Sequence, residues 1–271
     1  MICVVERDLP RPIAYMSSLL LLAGVVAMVW AAMRPVESEP EEVPVSNVKV
    51  VIDAGHGGED GGTVKYGLLE KDITLDLALR MERALAARGL ASVMTRRADV
   101  KISLSDRVAI AKQHPGAIFV SIHANRFASE RVRGAEVYVT TPTEPVVLRL
   151  EPADKGRPYR DGRSAELGRR ILEKIAAAVE MPIRDVREAR FVVTREVPAP
   201  AVLLECGYLS NPADAYLLSR AENRQKMAEA VAQACAEYLA DVIVNRLLGC
   251  TAWTPEDAQS PVSLDSPDEA P

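Results

Sequence analysis

The chain has 271 residues, 48% of them hydrophobic and only 4% aromatic, with a formal net charge of −5 and an isoelectric point near 5.4. That length and apolar content suit one sizeable packed domain with appendages, and the acidic balance offers no basic footprint for nucleic acid. The four cysteines, Cys3, Cys206, Cys235 and Cys250, show no C-x-x-C spacing, which sets aside a zinc ribbon or a thioredoxin-like motif; a Cys235–Cys250 disulfide is allowed in an oxidising compartment, with buried or idle thiols the default.

Arg7 and Arg11 lie in a short polar opening, and Ile13 to Met33 then runs twenty-one residues without a charge, long enough to cross a bilayer as a helix. A cleavable signal peptide is the competing reading, but its apolar region is normally shorter, and Val29-Trp30-Ala31 is a poor cleavage site. Residues 1–34 are therefore read as a cytoplasmic stub and transmembrane anchor. Arg7 and Arg11 precede the span, while Arg34 and then Glu37, Glu39, Glu41 and Glu42 follow it. This asymmetry puts the amino terminus in the cytoplasm and the domain on the extracytoplasmic face. Residues 35–46 (PVESEPEEVPVS) are proline-rich and acidic and read as an extended linker.

The folded domain is expected over residues 47–248. Val50, Val51 and Ile52 form a continuous apolar run, the mark of a strand covered on both faces, and the turn residues from Asp53 to Gly58 end it. His56 is thereby placed just past the carboxyl end of a central strand, the edge where ligands gather in open α/β sheets. Glu70 opens a helix that runs to Arg88 with Ile73, Leu77, Met81 and Leu85 on its apolar side, and Gly89 stops it. A first-turn glutamate is ordinary, because helix amino termini favour acids. Ala91 to Thr95 reads as a strand, and Leu104 to Gln113 as a helix capped by Ser103 or Ser105. His114, at that helix's end, receives no chemistry.

Ala117 to Ile122 is a second continuous apolar strand and ends in His123. Gly134 to Thr140 alternates as a more solvent-facing strand. Thr141 to Gly162 is a polar loop whose Arg149, Arg157, Arg160 and Arg163 mark either a solvated surface or a cleft wall for substrate carboxylates. Ser164 to Val179 is an amphipathic helix, Phe191 to Thr194 and Ala201 to Leu204 are further strands, and the last of these ends in Glu205. A carboxylate closing an apolar VLLE run is costly to leave unpaired, so it is either partnered or tuned for proton transfer. Cys206 points away from it by strand alternation. A long helix runs from about Glu222 to Leu248, and residues 249–271 form an acidic, proline-rich tail expected to be disordered.

His56, Glu70 and His123 together form a His, Glu, His set, the ligand type of a hydrolytic zinc site, with Glu205 the best-placed proton shuttle. Manganese and iron are also compatible with those ligand types.

The segments VVIDAGHGGEDGG, LLEKDITLDLA, SIHAN and AVLLECGYLSNPADAYLL closely resemble the zinc-dependent N-acetylmuramoyl-L-alanine amidases of the amidase 3 type, in order and spacing, from Lys49 to about Leu239. The resemblance implies one α/β domain with a mostly parallel six-stranded sheet and helices on both faces. It also implies peptidoglycan as substrate, cut at the amide joining N-acetylmuramic acid to L-alanine. By the same resemblance His56, Glu70 and His123 bind Zn2+ and Glu205 is catalytic. The departures are Ala54 where proline is frequent, and Cys206 and Tyr208 where small residues or phenylalanine are common. The short membrane segment without wall-binding repeats looks like the spore-cortex, germination-specific branch. The loop from Thr141 to Gly162 is too short and polar for the autoinhibitory helix of some members. An activator protein stays open as a partner. The rival readings are a zinc peptidase acting on stem peptides and a non-catalytic wall-binding regulator.

Overall fold

The computed structural model of the protein describes residues 48–140 and 162–247. The expected span at 13–33, the linker at 35–46, nearly all of the Thr141–Gly162 loop and the tail from 249 lie outside the described residues, as do Cys3 and Cys250. Among the described residues no helix is long and apolar enough to cross a membrane. Cys206 and Cys235 are both free and buried.

The described residues open with β1 (Val48–Ala54), a small hairpin of β2 (Val64–Lys65) and β3 (Leu68–Leu69), and α1 (Glu70–Ala86). Next come β4 (Ala91–Met94), α2 (Leu104–Lys112), β5 (Ile118–Asn125) and β6 (Ala135–Val139). The remainder is α3 (Arg163–Ala178), β7 (Ile183–Glu188), α4 (Val192–Arg195), β8 (Ala201–Tyr208), α5 (Pro212–Ser219) and α6 (Ala221–Leu247). Six strands form one sheet in the order β4-β1-β5-β8-β6-β7. The pairings among β4, β1, β5 and β8 are parallel; β6 runs antiparallel to β8, and β7 follows β6 in parallel.

Alternation along the central strands divides the core. Val50, Ile52, Val120, Ile122, Val202 and Leu204 face the larger cluster, into which α1, α3 and α6 send Leu77, Met81, Ile171 and Val231. Val51, Phe119 and Leu203 face the smaller one with Val108 of α2 and Val193 of α4. Both faces of the sheet are therefore covered, which is why its strands read as continuous apolar runs. Each fully buried aliphatic side chain stabilises the fold by about 1.5–3 kcal/mol. Cys206 belongs to the larger cluster, on the opposite side from Glu205, as the alternation predicts.

Three expectations are corrected. Phe191 to Thr194 is not a strand; Val192–Arg195 is a single helical turn that buries Val193 and Thr194 and sets Phe191 edge-on to Tyr138, so tertiary packing overrides β-branched propensity. The sixth strand is instead β7, IRDVRE, an edge strand of which only Val186 is buried, so its charge hides its strand character. His123 and Glu205 also do not follow their strands: β5 continues to Asn125 and β8 to Tyr208, so both residues lie within the sheet near its carboxyl edge.

Candidate active site

The carboxyl edge of the sheet gathers the predicted residues from four segments. β1 ends at Ala54, and the glycine-rich turn after it presents His56 with a left-handed backbone, φ 58°. A non-glycine residue in that region costs about 1–3 kcal/mol and persists only where its surroundings hold it. Two buried arginines do so. Arg107 Nη2 donates to the His56 carbonyl at 2.8 Å and its Nη1 to that of Ala54 at 2.7 Å, while Arg96 Nη2 donates to the Gly55 carbonyl at 2.8 Å. Arg107 is anchored in turn on buried Asp53, whose carboxylate also accepts from Thr95 and Ser121.

Glu70 is the first residue of α1 and is buried. The amides of Ala124 and Thr63 donate to its Oε1 and Oε2 at 3.0 and 2.8 Å, fixing the carboxylate plane. His56 Nε2 lies 3.0 Å and His123 Nδ1 3.1 Å from the same Oε1. The imidazoles meet edge to face with centroids 4.9 Å apart, and the three donor atoms of His56, Glu70 and His123 all lie within 4.8 Å of one another. Two glycines make this closeness feasible. A Cβ at Gly55 would come within 2.4–2.7 Å of three His123 ring atoms, and one at Gly62 would come within 2.6 Å of Glu70 Oε2 and 2.7 Å of the His56 ring.

Burial alone would raise the Glu70 carboxyl, but hydrogen bonds from His123 and His56 outweigh it and hold the group well below the ordinary carboxylate range. Burial would likewise lower His56, yet the Glu70 and Asp60 carboxylates leave it raised. Two imidazoles and one carboxylate aimed at a common point form a borderline donor set that suits zinc, so the residues fit the expected metal. Asp60, absent from the sequence reading, supplies a further part: it accepts from His56 Nδ1 at 3.0 Å and turns Nε2 toward Glu70. Such a carboxylate fixes the tautomer of a metal-ligating histidine. Its signal was its position four residues after His56 in the same turn.

Glu205 stands one strand over, in register with His123. It is buried, its Oε2 has no hydrogen-bond partner, and burial followed by the charges of Glu70 and Glu136 raises its pKa well above the ordinary carboxylate value. Glu136 of β6, also missed in the sequence, is fully buried and bound by Asn125, Tyr138 and Arg184 at 2.8–3.0 Å and by Tyr208. An unpartnered acid with a raised pKa beside a cluster of metal-type donors is equipped to accept and return a proton. Of the loop arginines, Arg163 alone is described, at the start of α3.

A family model described as N-acetylmuramoyl-L-alanine amidase matches residues 50–237. The chain is 33% identical over 195 residues to the N-acetylmuramoyl-L-alanine amidase LytC of Bacillus subtilis, covering 72% of this chain and 36% of that one. It is 30% identical over 259 residues to AmiA of Escherichia coli, covering 80% and 90%. Among solved structures, the amidase AmiC2 of Nostoc punctiforme superposes with a TM-score of 0.62 at 34% identity, covering 72% of this chain and 98% of that one. The chain thus spans about a third of the length of one curated relative and nearly all of another, and its α/β fold with a mostly parallel sheet is shared with the solved amidase. With the matched segment running from β1 into the last helix and taking in all four predicted site residues, this chain belongs to the N-acetylmuramoyl-L-alanine amidase family.

Proposed function

We propose that this protein hydrolyses the amide between the lactyl group of N-acetylmuramic acid and L-alanine in peptidoglycan, with zinc held by His56, Glu70 and His123 and with Glu205 as proton carrier. The observation that carries this reading is the convergence of three metal-type donors within 4.8 Å beside a buried acid with an unpartnered oxygen. A zinc ion held by these three residues would supply Lewis-acid chemistry, making water a better nucleophile near neutral pH and polarising the carbonyl. Glu205 takes the proton released as the water attacks and delivers it to the leaving alanine nitrogen, so the acid ends the cycle as it began. Asp60 and the Thr63 and Ala124 amides keep the donors oriented.

The uncharged run at 13–33 anchors the chain, and residues 47–248 act outside the cytoplasmic membrane, beyond the linker at 35–46, with 249–271 as a tail; the charge asymmetry around the run supports this arrangement. A role in the spore cortex is supported only by a germination-specific amidase of Bacillus subtilis at 26% identity. An activating partner is supported by the solved CwlD amidase of Clostridioides difficile, 26% identical, in complex with the GerS lipoprotein. The test is digestion of purified sacculi by the zinc-loaded full-length protein, with mass spectrometry of the products. Stem peptides with a free L-alanine amino terminus are expected, and peptides still carrying muramic acid would transfer the activity to a peptidase.

A further inference from the structure

A cleft of about 210 Å³ opens beside the metal-type donors, between the β2–β3 hairpin and the segment that follows β5. It starts at the site itself, because Thr63 on one wall gives its amide to Glu70 Oε2 at 2.8 Å. Ser210 lines the cleft too and ties down the opposite wall by accepting from the Phe127 amide at 3.0 Å. Beyond them the two walls are bridged: Lys65 Nζ lies 3.1 Å from Glu130 Oε1, and Tyr66 donates to the same oxygen at 3.1 Å. That bridge neutralises Lys65. Arg126 lines the cleft as well, is exposed, and among the described residues has no ion-pair partner.

Resting on the amidase reading above, we infer that this cleft takes the stem peptide on the leaving-group side of the scissile amide, and that Arg126 binds the free carboxylate of the residue after L-alanine. Distance supports the assignment. Arg126 is three residues past His123, about 10 Å along an extended chain, and a long flexible side chain covers part of that gap. In the stem peptide the second residue is a glutamate joined onward through its side chain, so its α-carboxyl stays free, about 7 Å from the scissile nitrogen in an extended dipeptide. A guanidinium pairs with such a carboxylate in a planar, two-point contact that the corresponding amide cannot reproduce. Arg126 is thereby a specificity residue that distinguishes stem peptides with a free second-position carboxylate from amidated ones. It is not a member of the proton-transfer machinery.

The test is calorimetric binding of two dipeptide products, L-alanyl-D-glutamate and L-alanyl-D-isoglutamine, which share the γ-carboxylate and differ at the α-carboxyl, to the zinc-loaded full-length protein, its Arg126→Gln and Arg126→Lys variants, and in parallel the rates on the two matching muramyl dipeptides. The wild-type protein is expected to bind the carboxylate dipeptide about tenfold or more tightly than the amide, the scale of a hydrogen-bonded charge. Arg126→Gln should abolish that preference by weakening only the carboxylate ligand, and Arg126→Lys should retain part of it. Equal binding of the two dipeptides by wild type, or a preference that survives Arg126→Gln, overturns the assignment. The binding preference without hydrolysis of either muramyl dipeptide upholds Arg126 and overturns the amidase reading instead.

Discussion

Glu136 and Glu205 are cross-strand partners in the antiparallel pairing of β6 with β8, two buried acids on the same face of the sheet. The two are treated differently by their surroundings. Glu136 is surrounded by donors, including Arg184 at 3.0 Å, whereas Glu205 keeps an oxygen without any. Burial raises the Glu205 carboxyl well above its ordinary range, and the neighbouring charges of Glu70 and Glu136 push it further in the same direction. Replacing Glu136 by Gln keeps an acceptor for the tyrosines but removes that charge. The expected result is a lower pKa for Glu205 and an acidic limb of kcat/KM displaced toward lower pH. A pH–rate profile of the zinc-loaded variant beside wild type checks it, and a limb that stays put or moves upward would show that Glu136 does not set the Glu205 proton.

Glu205→Gln preserves shape while removing the proton acceptor. Metal content should stay at one equivalent, and turnover should fall by about 10²–10⁴-fold, the usual share of general acid–base catalysis. His56→Ala removes a donor from the cluster and should lose both. Elemental analysis and muropeptide release measured on the same preparations separate the two outcomes.

The pH dependence of stability should reverse sign with metal. In the metal-free protein His56 is raised above its ordinary value of 6.5, so its contribution is complete below that pH and is lost as pH climbs through the folded value. Glu70 is depressed from 4.5, so its contribution is present above that pH and is lost as pH falls through its folded value. His56 therefore weakens the metal-free protein on the alkaline side, and Glu70 does so only at acid pH. Zinc needs unprotonated imidazoles, so the rise in Tm that it produces should grow between about pH 6 and 8. Thermal melts with chelator and with excess zinc across that range test this, and a constant increment would argue against histidine ligation.

Much of this site could be read from the chain because its parts sit where strands and helices change. His56 follows an apolar run, Glu70 opens a period of apolar residues, and His123 and Glu205 close off runs of their own. What stayed hidden was set by tertiary neighbours. Glu136 lies in an alternating strand where an acid normally faces water, yet it is fully buried because Arg184, Asn125 and the tyrosines surround it. Arg96 and Arg107 sit in a stretch rich in surface-type charges, and only the fold turns them inward onto the His56 turn. β7 was obscured in the same way, since an edge strand buries too little to show an apolar run.

Gly55 is set apart from its neighbours by what its missing Cβ would touch. Alanine there would collide with the His123 ring, and no left-handed backbone is involved, so the effect is purely steric. Gly55→Ala should displace the imidazole and weaken zinc binding by about 10–100-fold, the scale found when a ligand's support is lost. Gly61→Ala is the control, because its Cβ would meet only Val64 Cγ2 at 3.6 Å and should leave affinity unchanged. Competition titrations against a zinc indicator give both numbers. Equal affinities in the two variants would mean that His123 does not need its present position to bind metal.

Stability and metal binding can be separated at Arg107 and Asp53, an ion pair of which both members are almost wholly buried. Arg107→Met strands the Asp53 carboxylate with only the Thr95 and Ser121 hydroxyls, and breaking a buried pair from one side costs about 3–5 kcal/mol. Adding Asp53→Asn removes the stranded charge, so the double variant should recover much of that loss in urea unfolding. Recovery should not extend to zinc affinity. In either variant the His56 carbonyl loses its guanidinium donor and the Ala54 carbonyl keeps only that of Arg96, so the left-handed turn that presents the imidazole is held by Arg96 and Thr74 alone at Ala54 and Gly55. A double variant that regained stability and full zinc affinity together would show that Arg107 serves the core alone; regained stability with weakened zinc binding would place its second role at the His56 turn.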